Sequence, residues 1–337
     1  LAESVVAWLV DRGRPAAVGL VGEPTVEFVA AIQGAWLTGA SVSILPGPVR
    51  GAEGRRWAEA TLTRFRGIGV RAVLSHGSYL DGLQSLDPAA LDDGMIVEDV
   101  KPAAHTGRSC GELPAQPGNP AILQGTAGST GSPKTAALSP RAVLANLRGL
   151  NQRLSVTPAD VGCSWLPLYH DMGLSMIGFP AVYGGHSTLM SPAAFVRRPL
   201  RWIQALSDGS RQGNVVTAAP NFAYEWAAQR GLPAGGEDID LRNVVMIIGS
   251  EPVSIDAIRT FNKAFAPYGL PRTAFKPSYG IAEGTLLVAT IAPAAEATAV
   301  YFDREQLGAG RAVRVPADAP NAVAQVSCGQ VARSEWA

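Results

Sequence analysis

Short apolar runs alternate along this chain with longer amphipathic stretches, and this alternation limits the folds open to it more than any other feature. The first round is an apolar run at residues 16–22, an amphipathic stretch at 24–38 and a second apolar run at 41–46. Apolar residues at helical spacing predict a helix, and short apolar runs between turn residues predict strands. The order strand–helix–strand favours a parallel sheet covered by helices, so the sequence predicts an α/β protein.

The same alternation continues through most of the chain. Ser139 followed by Pro140 is a typical helix start, because Ser caps free backbone N–H groups and Pro fits the first turn. Further strands are predicted at residues 71–75, 121–125, 135–139, 161–166, 187–190, 214–218 and 243–249. Further helices are predicted at residues 55–65, 140–152, 171–183, 193–206, 220–230 and 254–266. The pattern is again that of an α/β fold.

One stretch interrupts this periodicity. Residues 101–120 collect Pro, Gly and Ser, which predicts a surface linker or a subdomain boundary. We therefore predict a first α/β subdomain at residues 1–117 and a second one, which carries the functional site, at residues 118–293. Residues 294–337 are rich in Ala and Val without helical spacing and predict β or irregular structure.

Composition argues against several classes of function. Lys plus Arg total 28 residues and balance the 28 Asp plus Glu, so the chain has no bulk charge for binding a polyanion. Apolar residues make up 47% of the sequence, which is enough to bury a sizeable core. A nucleic-acid-binding protein or a membrane-surface protein is therefore disfavoured.

Cysteine content and hydropathy bear on where the protein resides. The three cysteines are too few and too far apart for a disulfide framework or a zinc site, so a reducing cytoplasm is the simplest setting. No apolar run approaches the roughly 18 residues that predict a membrane span, and the first residues lack a signal-peptide pattern. The sequence also begins without Met, and we expect it to lie inside a longer protein.

A loop rich in Gly, Ser and Thr follows the predicted strand at 121–125. The segment GTAGSTGSPKTAALSP, at residues 125–140, places three glycines and four hydroxyl residues before Lys134. Glycines let backbone N–H groups approach an anion, hydroxyls add donors, and the lysine supplies a positive charge. The segment predicts a polyphosphate-binding loop, with an ordinary flexible hairpin loop as the alternative. It is not a Walker A loop, which needs Gly where this chain has Pro133.

A histidine stands at the end of another predicted strand. In WLPLYHDMGL, at residues 165–174, His170 and Asp171 adjoin the end of the strand predicted at 161–166. Open parallel sheets bind ligands at such strand ends, so His170 is a candidate ligand-binding residue. The alternative is a structural histidine whose hydrogen bonds are satisfied within the protein.

Two further strand ends carry an acidic residue. In VVMIIGSEPVS, at residues 244–254, Glu251 either caps a following helix or faces a ligand, and periodicity does not decide between the two. In FKPSYGIAEGT, at residues 275–285, Tyr279 offers an aromatic face and Glu283 a hard oxygen ligand suited to Mg²⁺. With the Gly-rich loop and the histidine, these make four strand-end sites in one order, which predicts a site for a nucleoside triphosphate.

These motifs resemble those of a known family. TAGSTGSPK is similar to the phosphate loop of the adenylate-forming superfamily, and SYGIAE is similar to its adenine and Mg²⁺ motif. More specifically, SWLPLYHDMGL, SPAAFVRRPLRWI, TAAPNFAYE, GSEPV and KPSYGIAEGTL resemble the fatty acyl-AMP ligases that feed polyketide and peptide synthases in mycobacteria. The resemblance covers essentially the whole chain. Residues 1–170 look most similar to the member associated with the siderophore mycobactin, and the later part to relatives that serve complex-lipid pathways.

The resemblance implies a fold of two doubly wound α/β subdomains, which form the family's N-terminal domain, with the C-terminal domain and its catalytic lysine beyond residue 337. It implies ATP and Mg²⁺ as cofactors, and the activation of a long-chain fatty acid to an acyl-adenylate that passes to an acyl-carrier protein. The alternatives are a long-chain fatty acyl-CoA synthetase and a non-catalytic module that binds a nucleotide or acyl group. This chain alone is expected to be weakly active or inactive. Residues 294–337 fall where acyl-AMP ligases carry an insertion.

The resemblance also implies roles for individual residues. His170 would lie beside the acyl carboxylate and the α-phosphate, with Lys134 as the second catalytic residue and Glu283 as the Mg²⁺ ligand. Many members have Thr where this chain has Ala282, which leaves Thr285 as the candidate hydroxyl for the α-phosphate. Nucleotide contacts are implied for Gly125, Thr126, Gly128, Ser129, Thr130, Gly131, Ser250, Glu251, Pro252, Ser278, Tyr279 and Gly280. A fatty-acid tunnel is expected around Met172, Ile177, Phe179, Phe222 and Tyr224, for which core packing is the alternative.

Overall fold

The chain folds into two units, each built around a sheet whose strands are mostly parallel. The computed structural model describes residues 1–49, 51–86, 94–111, 113, 118–126, 134–235 and 237–331. The first unit comprises Leu1–Val143 and Pro167–Asp171, and the second comprises Leu144–Leu166 and Met172–Ala337. The predicted α/β class is confirmed.

The first unit contains a six-stranded sheet. Its strands are β1 (Ala17–Val21), β2 (Ser41–Ile44), β3 (Ala72–Ser75), β4 (Ile96–Asp99), β5 (Ile122–Gly125) and β6 (Thr135–Leu138). They lie in the order β4-β3-β1-β2-β5-β6, and neighbours are parallel except for β5 and β6. Helices in this unit are α1 (Ala2–Asp11), α2 (Val26–Leu37), α3 (Gly54–Gly67), α4 (Gly77–Gln84) and α5 (Val100–Ala104). Strand β1 is buried along its whole length, as expected of a central parallel strand.

The second unit contains a seven-stranded sheet and a separate two-stranded sheet. Its strands are β7 (Val161–Ser164), β8 (His186–Leu189), β9 (Val215–Ala219), β10 (Val244–Ile248), β11 (Phe275–Gly280), β12 (Leu287–Thr290), β13 (Ala299–Asp303), β14 (Ala322–Val326) and β15 (Gln330–Val331). The large sheet has the order β15-β12-β11-β10-β9-β7-β8. Strands β7 to β11 are parallel to their neighbours within this group, and β12 and β15 join antiparallel.

The remaining helices connect these strands. Helix α6 (Pro140–Leu154) follows β6 and continues into the second unit, and its first turn is capped by the Ser139 hydroxyl, which accepts from the Ala142 N–H at 3.1 Å. This confirms the start predicted from Ser139 and Pro140. The others are α7 (Asp171–Tyr183), α8 (Pro192–Arg197), α9 (Leu200–Gln212), α10 (Asn221–Arg230), α11 (Ile255–Phe265) and α12 (Arg304–Gly308).

Aromatic side chains fill much of the core of the second unit. The rings of Tyr224 and Phe275 lie 4.8 Å apart, and Trp202 and Phe261 pack against the same tyrosine. The Tyr224 hydroxyl donates to the Ile247 carbonyl oxygen at 2.8 Å, and complete burial raises its pKa well above the usual value. Core packing, the alternative to a tunnel wall, therefore describes Tyr224.

The helix predicted at 193–206 is two helices, so that prediction is wrong in one respect. The chain leaves the helical conformation at Arg198, which has φ −150° and ψ 82°, and α9 begins after Pro199. A proline disfavours helical backbone at the residue before it, which explains the break.

Three short elements of the first unit were not predicted from the sequence. The stretch predicted as a linker begins with helix α5, whose Val100, Ala103 and Ala104 are buried and whose first turn is capped by Asp99. A helix of five residues is too short to display a 3.6-residue period, which is why residues 101–104 were expected to be irregular. Helix α4 and strand β4, which precede this stretch, were not predicted either.

The first unit extends beyond the boundary predicted at residue 117. Strand β5 joins the first sheet through the pairing of Ile122 with Val42, and β6 pairs with β5. The Pro- and Gly-rich stretch therefore lies, in sequence, between two strands of the same sheet, β4 and β5. As a division into functional subdomains, the predicted ranges stay a prediction.

Residues 299–326 form an element apart from the large sheet. Strands β13 and β14 pair antiparallel, α12 lies between them in sequence, and Arg259 of α11 donates to the Tyr301 hydroxyl at 3.1 Å. The β structure predicted after residue 293 is present here, and its identity as the family insertion stays a prediction. Among the helices of the described ranges, none combines the length and the apolar character needed to cross a bilayer.

Candidate functional site

The Gly-rich segment connects two antiparallel strands of the first unit. Gly125 of β5 pairs with Thr135 of β6, and beyond this pair the Thr126 N–H donates to the Lys134 carbonyl oxygen at 2.9 Å. The ends of the loop are thus held together, and the Lys134 side chain is exposed. The topology is that of a hairpin, and whether the loop binds phosphate stays a prediction. Gly128, Ser129, Thr130 and Gly131 lie outside the described residues.

His170 carries an acidic partner. Its Nδ1–H donates to the Asp171 carboxylate at 2.7 Å, and this hydrogen bond raises the pKa of the imidazole, although burial opposes the shift. The His170 side chain is 48% exposed, so the rest of the ring stays accessible. The residue is therefore neither a buried structural histidine nor a solvated one. It is a half-exposed imidazole biased towards its charged form.

A buried glutamine links His170 to the Gly-rich segment within the first unit. Gln124 lies in β5, directly before Gly125, and its Nε2 donates to the Tyr169 carbonyl oxygen at 3.0 Å. The backbone next to His170 is thereby fixed to the strand that leads into the loop. Gln124 was not predicted as a site residue, although a polar residue within the apolar run AILQG was the available signal.

In the turn after β10, the acidic residue Glu251 is hydrogen-bonded to another part of the second unit. Glu251 Oε1 accepts from the Asn221 N–H at 2.8 Å, which caps the start of α10. The Asn221 side chain closes the arrangement by donating to the Pro252 carbonyl oxygen at 2.9 Å and accepting from the Ser254 N–H at 2.8 Å. Glu251 therefore has the capping role that was considered for it, though on α10 rather than on the helix that follows it, and its contact with a nucleotide stays a prediction. Ser250, with φ 65°, stays exposed in this turn.

The turn after β11 leaves two candidate side chains exposed. The Tyr279 side chain is 53% exposed, and Glu283 is exposed with no hydrogen bond or ion pair to any side chain in the described part of the chain. Ser278 behaves differently, because its hydroxyl is buried and donates to Thr290 Oγ1 at 2.8 Å. Gly280 has no room for a side chain, since a Cβ there would collide with the Leu286 carbonyl oxygen. Tyr279 and Glu283 are thus presented on a tightly packed backbone.

A buried lysine supports the same strand. Lys276 of β11 donates from Nζ to the carbonyl oxygens of Thr273 and Pro293, each at 2.5 Å, and burial lowers its pKa to about 8. The lysine fixes the segment that leaves β12 towards β13. It was missed by the sequence analysis because a charged residue inside FKPSYG resembles an exposed strand position.

The predicted tunnel residues whose side chains the structure describes divide into three groups. Met172 and Ile177 of α7 are buried, and Met172 Sδ accepts from the Ser250 hydroxyl at 3.7 Å. Phe222 is 51% exposed and lies edge-on to Trp165 at 5.9 Å between centroids, so it is available to a ligand. Tyr224 belongs to the core described above, and the side chain of Phe179 lies outside the described part of the structure.

Comparison with known proteins gives one family and a consistent set of relatives. The family described as AMP-binding enzyme matches residues 2–315. Long-chain-fatty-acid–AMP ligase FadD32 of Mycolicibacterium smegmatis is 46% identical over 221 residues, which cover 64% of this chain and 35% of that protein. A 4-hydroxyphenylalkanoate adenylyltransferase of Mycobacterium tuberculosis is 33% identical over 311 residues, which cover 88% of this chain and 48% of that protein. The chain therefore spans about a third to a half of these curated relatives.

A solved structure extends the likeness to the fold. The fatty acyl-adenylate ligase from L. pneumophila, in complex with acyl adenylate and pyrophosphate, superposes with a TM-score of 0.82 at 25% identity. The match covers 98% of this chain and 57% of that chain. The resemblance to fatty acyl-AMP ligases predicted from the motifs is confirmed by these findings. The closer likeness of residues 1–170 to the mycobactin-associated member stays a prediction.

Proposed function

The chain belongs to the family of AMP-binding enzymes, and on that premise we propose that it forms part of an enzyme that activates a long-chain fatty acid as its acyl-adenylate. The relatives named as long-chain-fatty-acid–AMP ligases support this class of substrate. The observation that carries the proposal is the turn after β11. There Tyr279 presents an aromatic face for a base, and Glu283 presents an unshared carboxylate for a metal.

The proposed reaction is transfer of an adenylyl group. A carboxylate oxygen of the fatty acid attacks the α-phosphorus of ATP in line, the bond to the bridging oxygen breaks, and pyrophosphate leaves with the electron pair. Little covalent chemistry is needed from the protein, which positions the reactants and offsets charge. Lys134, exposed at the end of its hairpin, supplies positive charge to the departing pyrophosphate.

His170 holds the acid that attacks. Because Asp171 raises the pKa of His170, the ring carries more positive charge near neutral pH than an ordinary histidine does. A half-exposed imidazolium attracts both the fatty-acid carboxylate and the α-phosphate. The hydrogen bond to Asp171 also fixes which nitrogen faces the ligand.

The residues present fit a magnesium ion shared with ATP. In the portion of the chain that the structure describes, no group of three or more His, Cys, Asp and Glu side chains could hold a metal alone. Magnesium is commonly held by one or two carboxylates together with substrate phosphates, and Glu283 offers one such carboxylate. When bound, the ion supplies further neutralisation of phosphate charge.

The proposal extends to partners and location. Transfer of the acyl group to an acyl-carrier protein follows from the family resemblance of the motifs. All three cysteines are free thiols, which supports a reducing cytoplasmic setting.

A specific observation favours an acyl-AMP ligase over an acyl-CoA synthetase. Residues 299–326 pack as a separate sheet beside α11, as expected of an insertion. The relative with the greater coverage of this chain is named for a 4-hydroxyphenylalkanoate, so an aryl-substituted acid is the second acyl class to consider.

The full-length parent enzyme provides the test. Incubated with ATP, Mg²⁺ and a long-chain fatty acid, it is expected to release pyrophosphate and form acyl-AMP that persists when coenzyme A is added. Rapid conversion to acyl-CoA would instead make it a synthetase. A preference for 4-hydroxyphenylalkanoate over the fatty acid would change the acyl class, and no adenylate from either acid would leave only a non-catalytic binding module.

A further inference from the structure

The turn that carries Glu283 contains an unusual backbone. Thr285 has φ 73° and ψ −57°, and the Leu286 N–H donates to the Gly284 carbonyl oxygen at 2.9 Å across it. These values describe a γ-turn of the rare positive-φ form. For a β-branched residue this conformation is strained, and it persists only where the surroundings determine it.

One buried side chain brackets the strained residue on both sides. Asn146 of α6 is 3% exposed, and its Nδ2 donates to the carbonyl oxygens of Gly284 at 3.1 Å and Leu287 at 2.8 Å. Its Oδ1 accepts from the Leu287 N–H at 3.2 Å. A single amide group therefore matches three backbone groups placed immediately before and shortly after Thr285. Only a side chain with both donors and an acceptor satisfies all three.

The same face of α6 also bonds β12 through Arg153, which provides a matched control for Asn146. Arg153 lies two helical turns after Asn146 and donates from Nη2 to the Thr290 carbonyl oxygen at 3.0 Å. This bond fixes the end of β12 but does not touch the turn. Loss of Arg153 therefore removes a helix–strand contact of similar kind without releasing Thr285.

The two ends of the ligand-presenting segment are held differently. Tyr279 is fixed by the pairing of β11 with β12, where it lies opposite Ala289. Glu283 lies in the turn itself, and the carbonyl of the following Gly284 is one of the groups that Asn146 holds. A change in Asn146 is thus expected to move the carboxylate more than the aromatic ring.

From this geometry we propose that Asn146 is a positioning residue of the nucleotide site, whose side-chain amide holds the strained turn so that Glu283 points at the metal–phosphate group of ATP. The proposal rests on the function proposed above and deepens it. Asn146 does not touch the reacting atoms. Its effect is on the direction of the carboxylate and, through it, on the metal-dependent part of nucleotide binding.

The test separates metal-dependent from metal-independent binding in the full chain. Calorimetry is performed with ATP plus Mg²⁺ and, separately, with AMP without metal, on the wild type, Asn146→Leu and Arg153→Met. Asn146→Leu is expected to weaken ATP binding in Mg²⁺ by about tenfold and AMP binding by less than about threefold. Arg153→Met is expected to change both by less than about twofold. A variant that weakens both ligands equally indicates general loss of structure and overturns the proposal.

A combined variant tests the link between Asn146 and the strained turn directly. Glycine accepts positive φ without strain, so Thr285→Gly is expected to reduce the effect of Asn146→Leu when the two are combined. Additive effects would contradict the proposal. Hydrogen exchange provides a readout without ligand, because the Leu287 amide is expected to exchange faster in Asn146→Leu than in Arg153→Met.

Failure of the two proposals can be told apart. A wild-type chain that binds neither ligand overturns the proposed function and this inference with it. Normal wild-type binding, combined with an Asn146→Leu variant whose ATP affinity in Mg²⁺ is unchanged, overturns this inference alone.

Discussion

The turns after β10 and β11 each contain an acidic residue, but the two carboxylates have different surroundings. Each follows a buried parallel strand and contains a non-glycine residue with positive φ, Ser250 in the first and Thr285 in the second. In each, an asparagine from a helix bonds the backbone, Asn221 in the first and Asn146 in the second.

The two carboxylates differ in whether a helix N-terminus lies next to them. Helix α10 begins beside the first turn, and its Asn221 N–H donates a hydrogen bond to the Glu251 carboxylate. Among the described residues, no group donates a hydrogen bond to the Glu283 carboxylate or forms an ion pair with it. One carboxylate is therefore a helix cap, and the other has no hydrogen-bond partner among the described residues, because a helix begins beside the first turn only.

The largest expected effect separates the two acidic residues. Glu283→Gln removes the charge that we assign to the metal and is expected to weaken ATP binding in Mg²⁺ by about a hundredfold. Glu251→Gln keeps an oxygen that accepts from the Asn221 N–H, and is expected to change the same affinity by less than about twofold. Calorimetry with Mg²⁺ and ATP measures both. Equal losses in the two variants would contradict the different roles assigned to Glu251 and Glu283.

A smaller effect tests whether the first turn is structural. Asn221→Ala removes the side-chain bonds to Pro252 and Ser254 and is expected to lower the free energy of unfolding by about 2 kcal/mol. Asn221→Asp keeps the acceptor for the Ser254 N–H and is expected to lose less. Urea denaturation of the chain gives both values. A fully stable Asn221→Ala variant would show that the turn does not depend on this side chain.

Much of this arrangement was available from the sequence. The alternation of apolar runs with amphipathic stretches predicted most of the strands and helices of both sheets, and Tyr279 and Glu283 lie at a strand end, as the motifs predicted. These features are local, because each depends on the spacing of residues within one short segment.

The rest depends on residues far apart in the chain. Glu251 is bonded by Asn221, 30 positions earlier, and the Gly284 carbonyl is bonded by Asn146, 138 positions earlier. No pattern within either segment encodes the partner. Similarly, Phe222 and Tyr224 look equivalent in TAAPNFAYE, yet one is half-exposed and the other completes the core. Which face of a short helix meets the core is decided by tertiary packing.

The proposed function requires that the chain provide an adenylate site for a long acyl group. The most direct measurement is calorimetric titration of the chain with a non-hydrolysable long-chain acyl-adenylate analogue and with its acetyl counterpart. Binding at one site is expected, with the long-chain analogue tighter by about tenfold or more because it buries more apolar surface. Absence of binding, or equal affinity for the two analogues, would contradict it.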